Sequence, residues 1–202
     1  LIEDSWEHTN ADANHTYGRK HDDEIIKLWS VPEKSAQILE NLVILTQAKT
    51  ILEIGTSAGF AALHLAHGAN SINGTVHTIE LLPEKADMAK RNFEMAGMQN
   101  INLINAEAFE VLSSWKYGLI DLVFLDADKE NYGKYLDMLI PHMRNGALIV
   151  ADNINDYGHM MEDYLQKVCG THLPKTRTDH RVKSYYLAAL DNGLIFTKKI
   201  SN

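Results

Sequence analysis

The sequence predicts an α/β protein with a doubly wound, mostly parallel sheet, helices on both faces and a closing antiparallel hairpin. Three observations predict it. Short apolar runs alternate with amphipathic stretches from Lys49 to Cys169, which is the order of repeated βαβ units. A small-residue turn, "GTSAG", separates the first apolar run from its helix. The tail "KSYYLAALDNGLIFTKKI" reads as two strands turned at Asp191–Asn192–Gly193, and an antiparallel pair can close such a sheet.

Taken in order, residues 1–21 are polar and rich in Asn, Asp and His. They read as a solvated arm. His8, His15 and His21 belong to that arm rather than to a metal site. A short helix is expected at about 22–29. "SVPEKSAQILENLVILTQ" follows as an amphipathic helix, with Ser30 and Glu33 in a capping-box relation and Pro32 in the first turn. "TILEIG" is the first apolar strand and "FAALHLAHGA" its helix. "TVHTIEL" is a strand. "PEKADMAKRNFEMAG" is a helix that opens on Pro83 and stops at Gly97. "INLINA", "LIDLVFLD" and "GALIVADN" are further strands, and "EAFEVLSSW", "ENYGKYLDMLIPHM" and "DYGHMMEDYLQKVC" are the helices after them.

The chain has 202 residues, 45% hydrophobic and 23% charged. That suits a single globular domain over 31–202 behind an N-terminal arm and short helix over 1–30. No run of 18 apolar residues is present, so no membrane span is expected. "LIEDSWEHTNADANH" has neither the basic nor the apolar region of a signal peptide. Cys169 is the only cysteine. This excludes an internal disulfide and fits a reducing, cytoplasmic setting. The thiol sits where it packs a helix end. The net charge of −8 argues against a nucleic-acid partner, although a local basic patch is compatible with it.

Candidate chemistry gathers at strand ends. Gly55 and Gly59 shape a G-x-x-x-G turn, one glycine short of the dinucleotide fingerprint, which disfavours a pyrophosphate. Glu53 precedes the turn, where an acid can take the ammonium of an amino-acid-like ligand. Glu80 ends the second strand, about 25 residues on, the place from which a carboxylate accepts both hydroxyls of a ribose. A ribose and an amino acid without pyrophosphate describe S-adenosylmethionine.

The fourth strand ends at Asp126 and the fifth at Asp152–Asn153. Neighbouring parallel strands lie about 4.8 Å apart, so these residues are expected to converge. Three hard oxygen donors without Cys or His suit Mg²⁺ first, with Ca²⁺ or Mn²⁺ as alternatives. Asp152 or Asn153 as a mere cap of the next helix is the other reading.

"LEIGTSAGF", "FLDADKENY" and "VADN", in this order and spacing, resemble the cation-dependent O-methyltransferases, the group of caffeoyl-CoA, catechol and small bacterial O-methyltransferases. The resemblance covers about residues 32–200. It implies a seven-stranded class I methyltransferase (Rossmann-like) fold, S-adenosylmethionine as donor and a homodimer. It implies that Asp126, Asp152 and Asn153 are metal ligands and that Lys129 is the catalytic lysine at the acceptor hydroxyl. Glu53, Gly55, Thr56, Glu80, Ala108 and Asp128 match cofactor contacts, with Ser57, Gly59 and Asp126 in the same set. Ala36 stands where the family commonly has glycine, and the chain after "VADN" lacks the family's Trp- and Gly-rich loop over the acceptor. Tyr135 and Tyr157 are the candidate acceptor contacts, with His159 nearby. Trp6, Trp29, Arg181 and Lys183 are also candidates, although packing suits the tryptophans and a solvated edge suits the charges.

The expected activity is methyl transfer to a hydroxyl of a small catechol-like or phenolic acceptor. Methylation of a hydroxylated tRNA base is the alternative, and a non-catalytic cofactor-binding protein a further one. A nicotinamide oxidoreductase is disfavoured by the missing third glycine. A nucleobase amino-methyltransferase is disfavoured because "PPY" does not occur.

Overall fold

The structure, a computed structural model, describes residues 17–21, 24–169, 179–188 and 192–201. Trp6, His8, His15 and Asp191 lie outside the described residues, as does the stretch 170–178. The sequence predicts a helix at about 22–29. The structure instead pairs β1 (Tyr17–His21) with β2 (Glu24–Leu28) as antiparallel strands, in register from Tyr17↔Leu28 to His21↔Glu24. Cross-strand pairing overrides the local pattern here, and the β-branched pair Ile25–Ile26 suits it.

Helix α1 (Glu33–Thr46) starts without the expected capping box: Pro32 occupies the N-cap and no side chain caps the turn. Proline is extended there at ψ 150°, and its carbonyl accepts the Ala36 N–H at 3.0 Å. Leu39 and Val43 of α1 are fully buried, each contributing roughly 1.5–3 kcal/mol of burial. Ala36 is buried too, so its methyl group is accommodated within the packed face of α1.

The alternating pattern then unfolds as β3 (Thr50–Ile54), α2 (Phe60–Asn70), β4 (Thr75–Glu80), α3 (Pro83–Met95), β5 (Ile101–Asn105), α4 (Ala108–Ser113) and β6 (Ile120–Leu125). A 3-10 turn over Lys129–Asn131 leads into α5 (Tyr132–Leu139), and β7 (Met143–Ala151) follows. The helix expected over "DYGHMMEDYLQKVC" is broken. It is a four-residue α6 (Ile154–Tyr157), a 3-10 turn over Gly158–Met160 and α7 (Glu162–Cys169). Cys169 ends α7 half-buried against the core, and burial raises its thiol pKa. The tail is the expected hairpin, β8 (Val182–Leu187) with β9 (Leu194–Lys199).

The seven-stranded sheet has the order β5-β4-β3-β6-β7-β9-β8. Six strands run one way and β9 runs against them. Apolar strands buried on both sides put Leu52 and Ile54 on the face toward α5 and α7, and Ile51 on the face toward α1 and α2. Asp121 of β6 accepts the Lys49 and Thr50 N–H groups at 2.7 and 2.9 Å and pairs with Arg144 of β7. This pins the starts of three central strands. The chain winds outward from β3 through β4 and β5, then returns and winds the other way from β6. The reversal opens a crevice between the carboxyl ends of β3 and β6.

Candidate functional site at the strand reversal

A cleft of about 1100 Å³ lies over that crevice. Its floor is set by strand register. Ile54 pairs with Leu125, and Leu125 with Ala151, so Gly55, Asp126 and Asp152 leave their strands side by side. Gly55 has φ +98°, and a Cβ there would stand 2.1 Å from the Asp126 carbonyl oxygen. Only glycine allows the two strand ends to lie this close. Gly59 caps α2 in the left-handed region at φ +93°, where a side chain would meet the Phe93 ring.

Glu80 lies at the end of β4, with 7% of its surface exposed. One carboxylate oxygen accepts the Ser57 N–H at 2.8 Å and the other accepts the Leu82 N–H at 3.0 Å. Each oxygen keeps a second lone pair for a ligand hydroxyl. The Ser57 hydroxyl is buried without a hydrogen-bond partner, on the wall of the same cleft. Ala108, at the first turn of α4, lines the cleft beside Phe109, which stacks on Tyr135 at 4.7 Å between ring centroids.

Glu53 is placed differently from its neighbours in the motif. It is fully buried behind the turn and does not line the cleft. It accepts a hydrogen bond from the Thr78 hydroxyl, which also meets the Thr56 hydroxyl. Burial, above all, pushes its carboxyl up to about 8, and the nearby Asp126 and Glu80 charges add to the rise. Glu53 is therefore a neutral acid at pH 7 that props the glycine turn from beneath. Thr56 and Gly59 likewise shape the turn without lining the cleft.

The other side of the cleft carries the charges. Lys129 Nζ donates to Asp126 Oδ1 at 2.6 Å and to the Tyr132 hydroxyl at 3.0 Å. Asp128 accepts from the Tyr135 hydroxyl at 2.6 Å and from the Asn131 amide. The Tyr135 hydroxyl is thus committed to Asp128, and burial together with that carboxylate raises its pKa. Asp152 is almost fully buried, and its Oδ1 accepts the Asn153 N–H at 2.7 Å. Asn153 sits at the N-cap of α6 with φ 66°, yet its side chain makes no capping bond. The capping reading of this residue is not realised. Among the described residues no group of three His, Cys, Asp or Glu side chains is arranged to hold a metal ion. The expected set supplies two carboxylates and an amide.

Tyr157 lines the cleft with Met160 and Trp29, whereas His159 does not. Arg181 is held by Asp179 and reaches Asp137, away from the cleft, and Lys183 lies over the Tyr185 ring. Lys85, Phe109 and Tyr132 are residues that sequence reasoning missed. Only Tyr132 left a signal, its i, i+3 spacing from Lys129 in "KENY".

A family model for O-methyltransferases matches residues 15–200. Over 109 residues the chain is 41% identical to a catechol O-methyltransferase of Mycobacterium tuberculosis, covering 54% of this chain and 49% of that one. Over 138 residues it is 33% identical to a catechol O-methyltransferase of Niastella koreensis, covering 66% and 62%. These matched segments span about half to three fifths of the relatives' lengths. The solved O-methyltransferase from Bacillus cereus in complex with SAH superposes with a TM-score of 0.75 at 26% identity, over 84% of this chain and 82% of that one. With the motifs on the cleft floor and a match over nearly its whole length, the chain belongs to the O-methyltransferase family.

Proposed function

We propose that the protein transfers a methyl group from S-adenosylmethionine to a hydroxyl of a small catechol-like or phenolic acceptor, with a divalent cation at Asp126, Asp152 and Asn153. One observation carries the reading. A single cleft joins a ribose-competent Glu80 to a carboxylate pair, Asp126 and Asp152, with Lys129 beside it. The residues fit the donor: the unsatisfied Ser57 hydroxyl and the glycine turn offer polar and steric room for the amino-acid end. The donor set of two carboxylates and one amide fits a hard cation. When bound, such a cation lowers the pKa of a phenol, ordinarily about 10, and fixes its oxygen.

The chain's own groups do the rest. Glu80 holds the ribose, Asp128 borders the cofactor, and Lys129 Nζ steadies the oxyanion that the acceptor becomes. The walls orient the acceptor oxygen in line with the methyl group, which the sulfonium already activates. Tyr157, Met160 and Trp29 supply an apolar wall for a flat ring. Glu107, Asp128, Glu130 and Asp156 also line the cleft, against only Lys85 and Lys129. That balance favours a neutral or cationic acceptor over a tRNA backbone. The homodimer and the cytoplasmic location rest on the resemblance and the cysteine content. Among the described residues no helix is long and apolar enough to cross a membrane.

The test is calorimetric titration of S-adenosylmethionine with NADH as the parallel ligand, followed by methyl transfer to catechol with and without a chelator. Binding of S-adenosylmethionine alone and chelator-sensitive transfer are expected. NADH binding would overturn the donor, and chelator-insensitive transfer would overturn the cation.

A further inference from the structure

We infer that Tyr132 is a positioning residue that aims Lys129 at the acceptor oxygen. The inference rests on the proposed role of Lys129 and adds to it a group that sets the lysine's direction. Tyr132 opens α5, three residues after Lys129, and its side chain is fully buried. Its hydroxyl lies 2.9 Å from the Leu125 carbonyl, the last residue of β6, and donates its only proton there. Toward Lys129 Nζ, 3.0 Å away, the same oxygen must therefore accept.

This geometry fixes the ammonium. One N–H goes to Asp126 Oδ1 at 2.6 Å and one to Tyr132. The third is left for the cleft that Lys129 lines. A lysine is otherwise a flexible four-carbon stem ending in a freely rotating charge. Two bonds at a fixed angle remove that freedom. The tyrosine itself is held by Tyr164, which packs edge-on at 5.7 Å. Tyr132 thus ties the strand end that carries Asp126 to the turn that carries Lys129.

Tyr132→Phe is expected to retain the fold. Tyr132→Phe retains the ring and its contact with Tyr164, and the Leu125 carbonyl still accepts the Asp152 N–H at 3.2 Å. The experiment is a double-mutant cycle of Tyr132→Phe and Lys129→Met, reading kcat and KM for catechol and the affinity for S-adenosylmethionine. In the native background Tyr132→Phe is expected to lower kcat about tenfold while cofactor affinity stays within about twofold. In the Lys129→Met background the same change is expected to do nothing further. An equal loss in both backgrounds, or no loss in either, overturns the positioning role. Full turnover by Lys129→Met alone overturns the reading of Lys129 instead, which separates the two failures. Crystal structures of the native protein and Tyr132→Phe read the same point without turnover. Nζ is expected to hold one position beside Asp126 in the first and to leave it in the second. An unmoved Nζ overturns the inference.

Discussion

The two halves of the cleft are made from different parts of the chain. On the proposed cofactor side, backbone does the work: the Gly55 turn, and a Glu80 carboxylate held by the Ser57 and Leu82 N–H groups. Parallel strand register sets these positions, and register is hard to alter because a slip would expose a buried face. On the acceptor side the groups are side chains on short elements, the 3-10 turn Lys129–Asn131 and the four-residue α6. The aromatic and thioether wall comes from still less regular segments, with Trp29 and Met160 well exposed. The difference teaches that the proposed donor site is a property of the sheet, whereas the proposed acceptor site is a property of what the loops present.

The largest break between the halves is expected from Asp152→Ala. Turnover of catechol should fall on the order of a thousandfold, roughly 4 kcal/mol of barrier, because a ligand of the proposed cation that lowers the acceptor's pKa is lost. Affinity for S-adenosylmethionine, read by calorimetry, should stay within about twofold. A parallel loss of affinity would show that the halves are one unit.

Beneath the cofactor half lies a second kind of contrast. Glu80 and Asp126 face the cleft beside N–H or ammonium donors, whereas Glu53 is buried behind the turn, and that burial raises its pKa. Its unfolded carboxyl loses its proton near 4.5 and the folded one near 8. Between those values the folded protein holds the extra proton, so stability falls as pH rises and levels off above about 8. Glu53→Gln removes the titrating group and retains an acceptor for Thr78. Urea unfolding at pH 5, 7 and 8.5 should show a decline on the order of a few kcal/mol in the native protein and a much flatter profile in the variant. An unchanged slope would mean that Glu53 is ionised in the fold.

The sheet was legible in the sequence because buried parallel strands read as uninterrupted apolar runs, as "LIDLVFLD" does. The cleft floor was legible because strand ends carry motifs with fixed spacing, and Asp126 and Asp152 each directly follow one of two paired strands. Two kinds of feature were not. The β1–β2 hairpin depends on cross-strand partners that no local window contains, and "DDEIIKLW" alone suits a helix as well. The direction of a side chain within a motif was the other. Glu53 and Glu80 both lie at strand ends beside the glycine turn, yet one is buried beneath it and the other lines the cleft. The role of Tyr132 was not legible, since its hydroxyl contacts depend on a carbonyl seven residues away.

The smallest effect tests the cofactor half directly. Glu80→Ala removes the acceptor for two backbone N–H groups and for the proposed ribose hydroxyls. A hydrogen bond to a charged group contributes about 1.5–3 kcal/mol, so the net loss of one such bond should lower affinity for S-adenosylmethionine on the order of ten- to a hundredfold. The defect differs in kind from that of Asp152→Ala. At saturating cofactor, turnover by Glu80→Ala should recover to within a few fold of native, because Asp126, Lys129 and Asp152 are untouched. If turnover stays depressed at saturation, the Ser57 and Leu82 bonds to Glu80 shape the acceptor side as well. The division of the cleft into a backbone half and a side-chain half would then fail.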